Sequence, residues 1–349
     1  MTTTLSQPGR SCPPRYRYHA GALRGEPAFQ ADTLYVVGGL YGNVEALHSI
    51  LEMKRTEERH GSSVKLVFNG DFNWFNVNPE DFSEVNETVL THVASRGNAE
   101  AELDGDGIVG CGCNYPAYVD QSTVDYSNQI MKRLRGQAVH HPAIVQRLAK
   151  LPMYLTVRVG EERVGIIHGD PESLAGWRFA VENVEPLDST LRERVGCGST
   201  DPVTTQRSIR RYFEEAGVHA FASTHTCLPF AQDFQFGGER FLVINNGAAG
   251  MPNFRGVPAG IITRISARLA VPADSLYGTA LGSARFDAIP VYYDQKSWLR
   301  RFLKNWPPGS AGYNGYISRL EQGPEFCLDE AVRGGVQSLQ TAAAKAVVV

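Results

Sequence analysis

Residues 36–43 read VVGGLYGN: two β-branched apolar residues, a glycine pair, then Tyr-Gly-Asn. With TLY in front of it (33–35), the stretch ends a buried strand. NVEALHSILEMKRTEERHG (43–61) then carries apolar residues at helical spacing and stops at glycine. The strand-turn-helix unit is followed by a second strand, VKLVFNGD (64–71), a Pro-started helix, PEDFSEVNETVL (79–90), and a short third strand-like run, THVASRGN (91–98). Alternation of this kind predicts an α/β sheet whose functional residues lie at the C-terminal ends of strands.

Farther on, DGDGIVGCGCNYP (104–116) is loop-like and VDYSNQIMKRLRG (124–136) helical, which together read as an insertion bordering the site. PAIVQRLAKLP (142–152) is a helix closed by proline. YLTVRVGEERVGIIHGDP (154–171) is two β runs joined as a hairpin by GEE. TTQRSIRRYFEEAG (204–217) is an amphipathic helix, and VHAFASTHT, RFLVINNGAAG and GIITRISARL are strands, so the second half reads as helices plus a mainly antiparallel sheet.

The 349 residues are 42% hydrophobic, enough for one enlarged domain. A net charge of -3 provides no general field for nucleic acid or an anionic membrane, so phosphate recognition has to be local. The first 31 residues are rich in Pro, Arg, Ser and Thr, with no apolar run long enough for a signal peptide or a membrane span, and the expectation is a cytoplasmic protein. Six cysteines without a dense pairing pattern read as thiols.

Taken in order, GGLYGN, NGDFNWF, RGNAE, IIHGDP and STHTCLPF, followed by INNGAAGMP, resemble the calcineurin-like metallophosphoesterase family over roughly residues 33–255. The resemblance implies an α/β (α+β) sandwich of two mixed β-sheets flanked by helices, with a two-metal phosphoesterase centre between the sheet edges. The chain then divides into a polar N-terminal arm (1–31), the phosphoesterase-like domain (32–290, insertion about 101–142) and a C-terminal helical extension (291–349). The family pattern is DxH, GD, GNH followed by an acid, a lone His, and GHxH.

Carried over position by position, Gly39 stands where the first Asp would be and Tyr41 where its His would be. Asp71 fills the bridging carboxylate position, Asn98 the amide, His168 the lone histidine and His225 the first histidine of the last motif. Cys227 replaces the second histidine, and Ala99 the histidine that protonates the leaving group. In the family the missing ligands serve one metal, whereas Asp71, Asn98, His168 and His225 make the other site. The implied cofactor is therefore one divalent transition metal, Mn, Fe, Zn or Co, since a carboxylate, an amide oxygen and two imidazoles suit such ions better than calcium. Each residue alone admits a plainer role: Asp71 a turn cap, Asn98 a left-handed turn residue, each histidine a hydrogen-bonding group.

Asn98 and Tyr41 are the candidate catalytic residues. Tyr41 is either a substitute proton donor or a filler of vacated volume. Asn43, opening the first helix, and Arg96, preceding Gly-Asn, are candidate contacts for an anionic substrate. Cys227 with Tyr41 and Asp71 offers an alternative ligand set for a second ion of different type. The function expected is an atypical metal-dependent phosphoesterase acting on a small phosphorylated substrate; the alternative is an inactive phosphoesterase-fold protein serving as ligand sensor or interaction module. Nothing in the sequence speaks for a nucleic-acid or membrane partner, and the oligomeric state is open.

Overall fold

The computed structural model describes residues 7–105 and 107–339. The first six residues of the N-terminal arm, Asp106 of the DGDG run and the Ala-rich tail from 340 lie outside them. In chain order the strands are β1 (Gln30–Ala31), β2 (Thr33–Val37), β3 (Val64–Asn69), β4 (Val93–Ser95), β5 (Tyr154–Val159), β6 (Glu162–Ile167), β7 (Ala220–Ser223), β8 (Phe230–Phe236), β9 (Glu239–Asn245), β10 (Gly260–Ser266), β11 (Tyr277–Leu281), β12 (Ala284–Val291), β13 (Val332–Arg333) and β14 (Gln337–Ser338). They form two sheets, in the orders β1-β5-β6-β7-β9-β8-β13 and β14-β11-β12-β10-β2-β3-β4.

Side-chain alternation along the strands explains the sandwich. On β2, Leu34 and Val36 enter the core between the sheets, while Tyr35 and Val37 face the helical layer. On β12, Phe286 and Ala288 point to the first core and Ile289 and Val291 to the second. The helices Val44–Arg59, Pro79–Val89, Gln121–Ala138 and Gln295–Asn305 cover that second face with residues such as Leu47, Phe82, Leu134 and Phe302. The first two start where their sequence signals do. Asn43 Oδ1 accepts the Ala46 N–H at 3.0 Å, and Asn78 caps the second helix ahead of its proline.

Both sheets are mixed. β2, β3 and β4 run parallel, and β10 is antiparallel to β2 and to β12. In the other sheet the hairpin β5–β6 is antiparallel as expected, but β6, β7 and β9 are parallel. The mainly antiparallel second half read from the sequence thus has a parallel centre: the helix Gln206–Ala216 provides the crossover between β6 and β7 that a parallel pair needs. Three strands, the docking of the N-terminal segment and the strands that follow the C-terminal helices are further differences from the sequence reading. β8, β11 and β12 were not marked. The N-terminal segment lies against the body, with Tyr16 buried and its hydroxyl donating to Glu102 Oε1 at 2.5 Å. The C-terminal region is helical at Gln295–Asn305 and Ala311–Gln322, then adds β13 to one sheet and β14 to the other.

Because β2, β3 and β4 are parallel in one sheet and β6, β7 and β9 in the other, the loops after them gather along one edge of the sandwich. The quoted motifs all fall there.

Candidate metal centre

Asp71 follows β3 through Gly70, Asn98 follows β4, His168 follows β6 directly, and His225 lies just past β7. The turn at Gly70 is specific to glycine: its φ is +79°, and a Cβ there would fall 2.3 Å from the Gly97 nitrogen and 2.7 Å from His168 Nδ1. Asp71 itself has φ +53°, a left-handed backbone that costs on the order of 1 kcal/mol for a residue with a side chain and that recurs where geometry is functional.

The four side chains meet at one point. His168 Nε2 lies 3.3 Å from Asp71 Oδ2, 3.3 Å from Asn98 Oδ1 and 3.3 Å from His225 Nδ1. Ligand atoms of Asp71, His168 and His225 all lie within 4.8 Å of one another. Every other polar atom of the four is already engaged. His168 Nδ1 donates to the Asn69 carbonyl (2.8 Å) and His225 Nε2 to the Cys113 carbonyl (3.0 Å), so each ring turns its second nitrogen inward. Asn98 Nδ2 donates to the Cys111 carbonyl (3.0 Å), which aims Oδ1 inward, and Asp71 Oδ1 accepts the Ala99 N–H (3.0 Å), which leaves Oδ2. Three acceptor atoms about 3.3 Å from His168 Nε2, with all four backed by an outer hydrogen bond, are compatible with donors about 2.0–2.2 Å from a common ion. The residues fit a divalent cation.

Electrostatics agree with that reading. Burial opposes charge on His168, but the Asp71 carboxylate outweighs it and holds the imidazole above its ordinary value. Burial would likewise raise Asp71, yet the charge on His168 keeps it below the usual carboxylate range. His225 is pushed down to about 4 by burial and by His168, so its inward nitrogen keeps a free lone pair. A proton between His168 and Asp71 and a metal ion among all four are alternative occupants of the same point.

Around Gly39, Tyr41 and Cys227 the arrangement is different. A Cβ on Gly39 would fall 2.6 Å from the Tyr41 ring, so Tyr41 occupies the direction in which a residue-39 carboxylate would project. The Tyr41 hydroxyl and Cys227 Sγ are 2.7 Å apart, and both residues have positive φ, 55° and 62°. Burial raises the phenol and the thiol alike, which keeps both protonated and away from the ligand form. Cys227 is not among the clustered metal-ligand atoms.

Two expected substrate contacts go elsewhere. Asn43 is a buried N-cap: Oδ1 accepts from Ala46 and Nδ2 donates to the Gly250 carbonyl at 2.9 Å, leaving no polar atom for a ligand. Arg96 is half-buried, with no ion-pair partner among the described residues, and is not among the residues lining the cavity at the site. That cavity, about 240 Å³, is lined by Asp71, Asn98 and His225 together with Tyr41, Cys227 and Arg319. A larger cavity of about 650 Å³ beside the helix Val44–Arg59 contains none of the clustered residues.

Sequence reading missed three supports. Glu100 is fully buried and accepts the N–H groups of Asp71 (2.7 Å), Asn73 (3.2 Å) and Gly97 (3.0 Å), clamping the Asp71 turn; burial first, and the neighbouring Asp71 second, raise its carboxyl. The acid after Gly-Asn-Ala was its only signal. Trp177 donates to the same Cys113 carbonyl (2.9 Å) that orients His225, and a backbone carbonyl has no signature in a sequence. Arg319 comes from the C-terminal helix, where no motif marks it.

No protein-family model matches the chain, and no curated protein matches it in sequence. Its fold recurs in solved structures. A hypothetical protein of Pyrococcus horikoshii is 16% identical over 84% of this chain and 99% of its own, with a TM-score of 0.54. A metallophosphoesterase of Sphaerobacter thermophilus is 15% identical over 84% of this chain and 100% of its own, with a TM-score of 0.49. The fold shared with the Pyrococcus protein is a sandwich of two mixed β-sheets flanked by helices, and it carries a candidate Asp/His/His metal site at one sheet edge. Among the described residues no helix is long and apolar enough to cross a membrane.

Proposed function

We propose that the chain is an atypical metal-dependent phosphoesterase that works with one divalent transition metal, Mn, Fe, Zn or Co, held by Asp71, Asn98, His168 and His225. The observation that carries this reading is the convergence of four inward acceptor atoms whose outer atoms are all hydrogen-bonded. When bound, such an ion polarises a phosphoryl oxygen and activates water.

The residues of the chain do the rest. Glu100 fixes the Asp71 turn, and the Cys113 carbonyl fixes His225. Ala99, fully buried, has no proton to give. Tyr41 lines the cavity beside Asp71 with a phenol that stays protonated, so it is the group available to hydrogen-bond or protonate a leaving oxygen. The substrate is a small phosphate ester.

The test is leaving-group dependence in metal-loaded protein. Turnover is expected with nitrophenyl phosphates and is weaker by about 10²–10⁴ with alkyl phosphates, as for loss of a positioned acid. Tyr41→Phe lowers the alkyl rate far more than the nitrophenyl rate. Absence of metal-dependent turnover across that panel refutes the enzyme reading. It would favour the second one, a silent site that senses a ligand, for which buried Ala99 speaks.

A further inference from the structure

The helix Ala311–Gln322 lies over the part of the site that Tyr41 and Cys227 fill, and it places Arg319 in the cavity wall. Arg319 is the only lysine or arginine among the residues lining that cavity. Its guanidinium is held by two backbone carbonyls rather than by a carboxylate. Nη2 donates to the Cys227 carbonyl at 2.8 Å and Nε to the Pro252 carbonyl at 3.4 Å, and no acid pairs with it among the described residues. An arginine has five N–H groups, and among the described residues no acceptor takes those of Nη1.

A second donor points the same way. Trp74 lines the cavity, is only 3% exposed, and its indole N–H lies near the Tyr316 hydroxyl without a hydrogen bond of ordinary geometry. A buried indole N–H without an acceptor is costly unless a ligand supplies one. The rest of the wall mixes aromatic residues, Tyr41, Tyr115 and Tyr316 among them, with Thr123 and Thr226, and the cation and the unsatisfied donor share this cavity with Asp71 and His225.

We infer that Arg319 and the Trp74 N–H form a phosphoryl-oxygen subsite opposite the four-ligand cluster, with the C-terminal helix supplying a fixed positive charge in the half of the site that has lost its metal ligands. A guanidinium anchored on two carbonyls presents a planar fork to two oxygens of one phosphoryl group at little further entropic cost. This rests on the phosphoesterase reading for its substrate class, but not for its test.

The experiment is titration of metal-supplemented protein with inorganic phosphate, by calorimetry and by ³¹P line broadening, for wild type, Arg319→Met, Arg319→Lys and Trp74→Phe. Metal content and melting temperature are recorded alongside. Arg319→Met is expected to weaken phosphate about 10- to 100-fold with metal content unchanged, as for loss of a charged hydrogen-bonding partner. Arg319→Lys recovers part of that loss, and Trp74→Phe weakens phosphate about three- to tenfold. Arg319→Lys tells a charge contact from a purely structural one, since both variants lose the geometry that ties Cys227 to Pro252. Phosphate affinity within twofold of wild type in Arg319→Met, or no phosphate binding by the wild type, overturns the subsite. Tight phosphate binding that depends on Arg319, with no ester turned over, leaves the subsite standing and removes the enzyme reading instead.

Discussion

Purified Asp71→Ala and His168→Ala proteins are expected to retain less than about a tenth of the wild-type metal after desalting, and to lose metal-dependent turnover with it. Outer-shell changes alone typically cost about 10–100-fold in metal affinity, and removing a ligand exceeds that. The geometry concentrates the effect: His168 Nε2 is the atom closest to all three partners, and Asp71 brings the only carboxylate among the clustered atoms. Cys227→Ser keeps the ion, because Cys227 pairs with Tyr41 and stands outside the cluster. Elemental analysis decides the matter. A wild type holding two tightly bound ions, or alanine variants with full metal content, would contradict the single-site account, and loss of metal in Cys227→Ser would move the thiol into the ligand set.

The second large effect is on stability. Gly39→Asp restores the side chain that the family carries at this position, yet its Cβ falls 2.6 Å from two ring carbons of Tyr41, on a backbone at φ +35°. Overpacking of this kind costs about 1–3 kcal/mol, and the backbone adds on the order of 1 kcal/mol, so the single variant should melt several degrees below wild type. Adding Tyr41→His replaces the obstructing end of the phenol with a shorter imidazole, and the pair should be strongly non-additive, recovering most of the overpacking loss. Thermal denaturation of the two single variants and the double variant checks it. A Gly39→Asp protein that melts with the wild type would mean that Tyr41 swings freely and is not the occupant of that volume. Only a protein with Gly39→Asp, Tyr41→His, Ala99→His and Cys227→His together offers a route to the two-metal arrangement.

The candidate cluster was legible because each of its residues sits at the end of an apolar strand, where a short polar motif interrupts an unmistakable pattern. Asp71, Asn98, His168 and His225 needed only their order. Asn43 was legible too, but in the wrong sense. The same residue type that binds anions at a helix start also caps the helix, and its amide nitrogen is turned to the Gly250 carbonyl. What the sequence withheld lies in long-range packing. Cys113 acts through its carbonyl, which every residue possesses. Arg319 reaches the cavity from a helix with ordinary surface periodicity, 67 residues beyond Pro252 at the end of the last motif, where its role depends on which way that helix lies across the sandwich. β8, β11 and β12 do carry two-residue hairpin signals, Gly237-Gly238 before β9 and Gly282-Ser283 between β11 and β12, but their runs mix polar residues and glycine with the apolar ones and so stand out less than the other strands.

The strands β13 and β14 sit a few residues apart in the chain and extend different sheets, one along β8 and the other along β11. Arg333, on β13, also donates to the carbonyls of Val181 and Val184 at 2.8 and 2.9 Å. One short segment therefore covers a border of each sheet. Without it, the backbone groups of β8 and β11 that it pairs with are open to neighbouring chains, the template that drives edge-to-edge aggregation. A protein ending at Gln322 would hold every metal ligand and Arg319 and still be poorly soluble, so the quality of its expression, rather than its chemistry, is what the final strands govern.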